Sequence, residues 1–476
     1  MQFNSFTYLA FLIAAVTVFW LLPSRFRRSF VLVASLAFYA SWNFAFVLVP
    51  LAVCGFVYLI GKWMTGRLQV ARVAMWTGII CLVAVLTFFK YRNFLLANIS
   101  LLDGHSFSKL KPLEALALPL GISFYTFEAI GYLVDLRQKR LASLSFIDLC
   151  LFLMFWPNIT AGPIVRAREL VPQLKFSAQF EPRFVFDGLD RLMWGLVQKT
   201  VIANLLGIWV DRGFGSNSRL TFSSIDCWCL TIAFGLQIYF DFAGYSNMAI
   251  GSARLIGVTL PENFHYPYHA VSPPEFWSRW HMTLSRWIRD YLFFPVNAKF
   301  FGAPAPLYAS LIGIMALVGL WHGAGWNYIL WGAMHGVYLV LFRIYERATR
   351  MHQTYAKSRA TALAWRLFTL LAVFAAWVPF RCSSLQRAGT FLARMFGHFT
   401  AGFAFDSAFY VFTGAAAVFC IVEPYFARLV RDEEETSSAE RLAWSRILVR
   451  PLAYSCCLVL FMLFDVLDGQ FIYTQF

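Results

Sequence analysis

His322 sits in the run Leu320-Trp321-His322-Gly323-Ala324-Gly325-Trp326-Asn327, inside sequence otherwise apolar enough for a membrane. An ionisable side chain is costly at membrane depth, so its first reading is functional. Burial disfavours the imidazolium and leaves a neutral base. Such a base takes the proton of an attacking hydroxyl, an effect worth about 10²- to 10⁴-fold in rate. Gly323 and Gly325 permit a break or a close backbone approach beside it. A structural histidine bonded to a neighbouring carbonyl is the other reading. His335 follows 13 residues later. On one continuous helix it would face roughly 220° away from His322, which predicts a packing role.

His281 closes the run Phe276-Trp277-Ser278-Arg279-Trp280-His281, within a segment from Glu275 to Asp290 that follows Pro273-Pro274. Proline initiates helices well. Arg279, Arg286 and Asp290 fall near one face, and Phe276, Trp280 and Trp287 near another, which predicts an amphipathic interfacial helix. Its arginines either snorkel to lipid headgroups or meet the phosphates of a cytosolic donor, which the guanidinium fork suits. Gln237, Asp241 and Tyr245, spaced i, i+4, i+8, form a polar stripe on an apolar helix. A membrane carboxylate faces a cavity or a partner, so Asp241 lines a passage, orients a catalytic group or bonds a neighbouring helix. Glu128 is a weaker case of the same kind. Trp321 and Asn327 flank His322 and join Gln237, Asp241, Tyr245, Arg279 and Arg286 as candidates to line a donor or substrate passage. Asn158 to Arg166, with Gly162-Pro163, reads as a helix-ending turn. Tyr473, in an aromatic tail, reads as an interfacial anchor. No G-x-S-x-G elbow, P-loop, Rossmann fingerprint or H-E-x-x-H motif occurs.

The elements that hold these residues are membrane helices. Of 476 residues, 59% are hydrophobic and 14% charged, and the mean hydropathy is +0.61; soluble domains carry about 25% charged residues. The chain therefore reads as an all-α polytopic membrane protein. Its 51 Phe and 17 Trp suit lipid-facing surfaces and interfacial belts. The net charge of +15 does not read as nucleic-acid binding, because the basic residues cluster in short loops between apolar runs. Those loops can attract anionic lipid or an anionic cytosolic substrate. The nine cysteines read as small core residues without disulfides, and Cys227-Trp228-Cys229 lacks the partners of a zinc site.

Apolar runs predict spans near 6–22, 30–42, 44–60, 73–89, 115–134, 145–161, 190–210, 226–250, 305–321, 326–342, 364–380, 403–422 and 452–467. Runs 30–42 and 115–134 can be re-entrant, so the count is about 11 to 13. The run Phe6 to Leu22 lacks a charged n-region and a cleavage site, and reads as a retained first span. Arg25, Arg27 and Arg28, the loop Arg343 to Arg359 and the loop Arg428 to Arg450 are all cytoplasmic if the N-terminus lies outside. The tail from Asp468 then lies outside as well. Lys90, Arg92, Lys109 and Lys111 disagree with simple counting unless a segment is re-entrant. The acidic stretch 431–440 reads as a solvated loop. With no internal repeat, residues 1–476 read as a single membrane domain.

The pattern resembles the membrane-bound O-acyltransferases (MBOAT), and within them the bacterial alginate O-acetylation subgroup. The resemblance runs through Leu118 to Phe127, Ala161 to Arg166, Tyr239 to Ser246, Pro261 to Phe264, Phe276 to His281, Gly319 to Ala324 and Phe471 to Tyr473. It implies a ring of helices around a thin core, with funnels from both faces meeting at His322 as the catalytic histidine. His281 matches the second signature histidine, on the cytoplasmic side. The implied reaction carries acetyl from a cytosolic thioester, acetyl-coenzyme A or an acyl carrier, across a bacterial inner membrane with no bound cofactor. A periplasmic partner of the SGNH-hydrolase type then acetylates an exopolysaccharide beside its synthase complex. Tyr473 matches the position of a proposed acyl relay, although Thr474 stands where an aromatic is common. The alternatives are D-alanyl transfer to a wall polymer and a non-catalytic transporter of donor or glycan.

Overall fold

The computed structural model describes residues 1–66, 70–102, 118–215, 222–298, 303–349, 359–436 and 450–464. Among these the fold is helical, without strands. Among the described residues, eight helices are long and apolar enough to cross a membrane, and Phe6–Leu21 and Arg450–Phe464 are shorter apolar helices. Run 30–42 falls in the helix Ser24–Ala40, which is not among these, and two other runs differ from them; the rest map onto these helices. Run 145–161 yields only the helix Phe146–Met154 before the chain turns, and run 115–134 becomes the 16-residue helix Ile122–Arg137. Both are too short to span alone. The chain divides into two compact units, residues Met1–Leu192 with Met248–Glu262, and Met193–Asn247 with Asn263–Phe476.

The first unit holds α1 (Phe6–Leu21), α2 (Ser24–Ala40), α3 (Leu48–Gly66), α4 (Ala71–Leu86), α5 (Arg92–Leu102), α6 (Ile122–Arg137), α7 (Phe146–Met154) and α8 (Ala167–Leu170). Local chemistry sets the ends: the Ser5 and Ser145 hydroxyls accept the Tyr8 and Asp148 amides and cap α1 and α7. A π turn, Thr87–Tyr91, joins α4 to α5 in one 30-residue apolar span, Ala71–Ser100. Tyr8 Oη donates to Ser252 Oγ at 2.7 Å, and Trp20 Nε1 to the Leu255 carbonyl at 2.8 Å. Gly121 has φ 71°, and a Cβ there would lie 1.9 Å from the Ile159 carbonyl oxygen, so only glycine starts α6 at this point. The expected turn at Asn158 to Arg166 is present. Glu128 holds it, accepting from Asn158 Nδ2 at 2.7 Å and the Val165 amide at 3.2 Å.

α9 (Pro182–Leu196) continues through a π turn, Val197–Ala203, into α10 (Asn204–Phe214); α11 is Ser224–Arg254. The second unit takes these helices from Met193 to Asn247 and then α12 (Pro273–Arg279), α13 (Met282–Ile288), α14 (Phe294–Asn297), α15 (Pro304–His322), α16 (Trp326–Thr349), α17 (Arg359–Arg381), α18 (Leu385–Phe396), α19 (Ser407–Thr436) and the final helix Arg450–Phe464. α15 and α16 form a hairpin at backbone contact. A Cβ on Gly332 would meet the Met315 carbonyl oxygen at 2.0 Å, and one on Gly319 the Tyr328 carbonyl oxygen at 2.0 Å. Small residues permit this approach between membrane helices. Gly332→Ala is expected to force the hairpin apart and cost about 1–3 kcal/mol. Thermal unfolding followed by size-exclusion of the detergent-solubilised protein reads the shift. Gly313→Ala, where a Cβ would meet nothing within 4 Å, is expected to be neutral and serves as the control.

All nine cysteines are free. Cys54, Cys150, Cys227, Cys382 and Cys420 are buried as expected, but Cys81, Cys229 and Cys457 are half-buried and Cys456, on the helix Arg450–Phe464, is exposed.

Candidate active site

The break that the sequence permits beside His322 falls at Gly323. There the backbone turns extended (φ −156°, ψ 146°) and α15 ends on His322 itself. The two histidines therefore lie on the two arms of a hairpin, and both meet the same indole. Trp331 is edge-on to His322 at 5.0 Å and to His335 at 5.1 Å. Trp321 at 4.7 Å and Phe380 at 5.6 Å also lie against His322, which is 3% exposed. Asn327 places one of these walls. Its Nδ2 donates to the carbonyls of Cys382 (3.0 Å) and Pro379 (3.3 Å), capping the end of α17 that carries Phe380. His335 stacks flat on Phe276 at 5.9 Å and edge-on to Trp277 at 5.1 Å, a packed position.

The predicted single interfacial helix from Glu275 to Asp290 is instead two short helices broken at His281, whose φ is 42°. A non-glycine residue in this region must be held there. Asn263 holds it. Its carbonyl accepts the Met282 amide at 2.9 Å, and its side-chain Oδ1 faces His281 Nδ1 at 3.0 Å. Ser246 Oγ accepts from Asn263 Nδ2 at 3.1 Å. Phe242 lies edge-on to the imidazole at 4.7 Å, and Trp321 is 6.3 Å away. Trp321 is thus in contact with both His281 and His322.

His281 is fully buried and lies outside the eight spanning helices. Burial pushes its pKa from the ordinary 6.5 down to about 3. The folded protein holds it neutral, whereas the unfolded chain takes a proton below pH 6.5. Stability from this group is therefore present above pH 6.5 and is lost as pH falls toward 3. Between pH 6.5 and 5 the loss is expected to be about 2 kcal/mol, at about 1.36 kcal/mol per pH unit. Unfolding temperatures of the natural protein and His281→Gln at the two pH values check it; equal pH responses would contradict it.

Arg279 is bonded within its own loop and keeps part of its side chain exposed. Its guanidinium pairs with Glu275 at 2.8 Å and donates to the His265 carbonyl at 3.2 Å, leaving the side chain about a quarter exposed. Arg286 Nε donates to the Met282 carbonyl at 3.3 Å. On α11, Tyr245 is buried, Gln237 packs over Gly207, and Asp241 forms a buried ion pair with Lys199 of the π turn. That cation went unnoticed in the sequence because it interrupts an apolar run only once. Glu423 of α19 was missed in the same way. It is buried and accepts from Tyr239 Oη at 3.2 Å and Gln198 Nε2 at 3.3 Å, while Gln198 Oε1 accepts from Asn247 at 2.6 Å. Tyr473 lies outside the described residues.

Residues 34–385 match the model of the membrane-bound O-acyltransferase family. The chain is 37% identical to the probable alginate O-acetylase AlgI of Azotobacter vinelandii over 397 residues, 83% of this chain and 77% of that protein. The chain belongs to the membrane-bound O-acyltransferase family. Among other relatives, it is 36% identical over 402 residues to the peptidoglycan O-acetyltransferase of Helicobacter pylori, 78% of this chain and 74% of that one. The teichoic acid D-alanyltransferase of Bacillus subtilis aligns at 30% over 256 residues, 51% of this chain and 64% of the relative. Membership makes the protein a multi-pass membrane enzyme that transfers acyl groups to oxygen. The stretch matched to the O-acyltransferases contains both helix breaks and both buried histidines beside Trp321.

Proposed function

We propose that this enzyme carries acetyl from acetyl-coenzyme A on the cytosolic side of the inner membrane to the O-acetylation of an exopolysaccharide, alginate. The carrying observation is His322, a buried imidazole at a broken apolar helix, in a chain that resembles O-acetylases over 83% of its length. In this reading His322 takes the acceptor hydroxyl proton while its oxygen attacks the thioester carbonyl. The C–O bond forms, the C–S bond breaks, and the proton passes to the departing thiolate. His281 meets the donor from the cytoplasmic side with a neutral nitrogen. Asp241, Tyr245, Gln237, Trp321 and Asn327 shape the passage, and Arg279 and Arg286 face the donor's phosphates. The rings around His322 must move to admit a thioester.

Both termini are periplasmic in this scheme, and residues 1–476 act as one membrane domain. Tyr473 relays the acetyl to an SGNH-hydrolase-like partner, which acetylates the polymer beside its synthase. The test is release of free coenzyme A from acetyl-coenzyme A by the purified protein in nanodiscs, with the periplasmic partner and polymer supplied. Release coupled to polymer acetylation supports the reading. Substrate movement without thioester cleavage would make the protein a transporter, and D-alanyl transfer from a carrier protein would replace acetyl as the cargo.

A further inference from the structure

We propose that Asn263 is a positioning residue that fixes the tautomer of His281, so that the ring carries its proton on Nδ1 and presents Nε2 as a bare acceptor. This rests on the reading that His281 takes part in acyl transfer. Three groups converge on one oxygen. Asn263 Oδ1 lies 2.8 Å from Thr283 Oγ1, 3.3 Å from the Thr283 amide nitrogen and 3.0 Å from His281 Nδ1.

The Thr283 amide can only donate, so the atom facing it must be the amide oxygen. The side-chain orientation of Asn263 is thereby settled by the backbone and does not rest on a choice between two similar atoms. An oxygen facing Nδ1 requires a hydrogen on Nδ1. A bare Nδ1 would set two lone pairs against each other at 3.0 Å. In the neutral ring the other nitrogen then has no proton. Nε2 is buried and meets no hydrogen-bond partner among the described residues.

The described partners of the ring, Asn263, Phe242, Phe264 and Trp321, are all neutral. The carboxamide therefore sets the tautomer without adding charge, as the hydrogen bond at one ring nitrogen decides the state of the other. The same residue bonds the Met282 amide through its backbone and Ser246 through its Nδ2, so the clamp is rigid on three sides. A carboxylate at this place would give the same tautomer but favour the imidazolium. The carboxamide gives the tautomer and keeps the ring uncharged, with Nε2 bare of a proton.

The experiment uses the full chain in nanodiscs with acetyl-coenzyme A as donor. ¹⁵N resonances of ring-labelled histidine, assigned by loss of one set in His281→Gln, report which nitrogen is protonated in the natural protein. Protonation at Nδ1 is expected; protonation at Nε2 overturns the proposal whatever the activity shows. Asn263→Leu removes the acceptor at similar size and is expected to lower kcat about ten- to a hundredfold with KM little changed. Asn263→Asp restores the acceptor. It is expected to recover most of kcat at higher pH and to move the acid limb of the pH profile upward by about one unit or more. If His281→Gln is inactive while Asn263→Leu keeps the natural kcat and pH limb, Asn263 does not position the ring. If His281→Gln is fully active, the role of His281 in transfer fails, and the resonances still decide the tautomer.

Discussion

Replacing His322 with alanine is expected to lower thioester cleavage about 10²- to 10⁴-fold while the protein still inserts and folds. The imidazole is a buried group with a titratable nitrogen at the break between α15 and α16, and the rings of Trp321, Trp331 and Phe380 lie against it. Those rings form a cage beside it, so alanine removes packing as well as the base. Truncations of this kind cost about 2–5 kcal/mol in a core. His322→Phe separates the two effects. It keeps an aromatic ring in the cage and loses the nitrogens, so it is expected to fold at least as well as His322→Ala and to be equally inactive. Coenzyme A release per folded molecule, with folded protein quantified by size-exclusion, is the measurement. A phenylalanine variant that releases coenzyme A at the natural rate would strip His322 of its role as the base.

The largest expected effect on stability belongs to Lys199 and Asp241. Both side chains are 2% exposed, and they face each other from the π turn between α9 and α10 and from the middle of α11. Two ions in such a place lose their hydration and regain it only from each other and their hydrogen-bond partners. Lys199→Met leaves a buried carboxylate without its cation and is expected to cost about 3–5 kcal/mol, a large share of the stability of a folded protein. The double variant Lys199→Met with Asp241→Leu removes both charges at similar volume and is expected to recover most of that loss. Thermal unfolding of the three forms decides the matter. A single variant as stable as the natural protein would show that the pair contributes nothing, and a double variant no better than the single would show that the remaining bonds of Asp241 outweigh the pairing.

How far each residue could be read in advance depended on whether its signal was local. His322 stood out because an imidazole between Trp321 and Gly323 in apolar sequence is costly wherever the chain folds. The turn before Arg166 was legible because Gly-Pro cannot continue a helix, but the helix stops earlier, at Met154, where Glu128 holds the turn through Asn158 and the Val165 amide. Lys199 was not, since a single cation in an apolar run looks the same whether it snorkels or meets a carboxylate 42 residues away. The break at His281 was hidden as well. The sequence from Glu275 to Asp290 has a regular amphipathic pattern, and the force that breaks it comes from Asn263, 18 residues earlier.

The sequence by itself determined the helical membrane class, most of the spans and which imidazole to suspect, because the cost of charge in lipid and the 3.6-residue period are properties of short stretches. Only the tertiary structure decided that His281 and His322 share Trp321, that His335 shares Trp331 with His322, and that Asp241 answers to a lysine. Those relations depend on how closely particular helices approach, and α15 and α16 approach as they do because a side chain at Gly319 or Gly332 would run into the facing backbone.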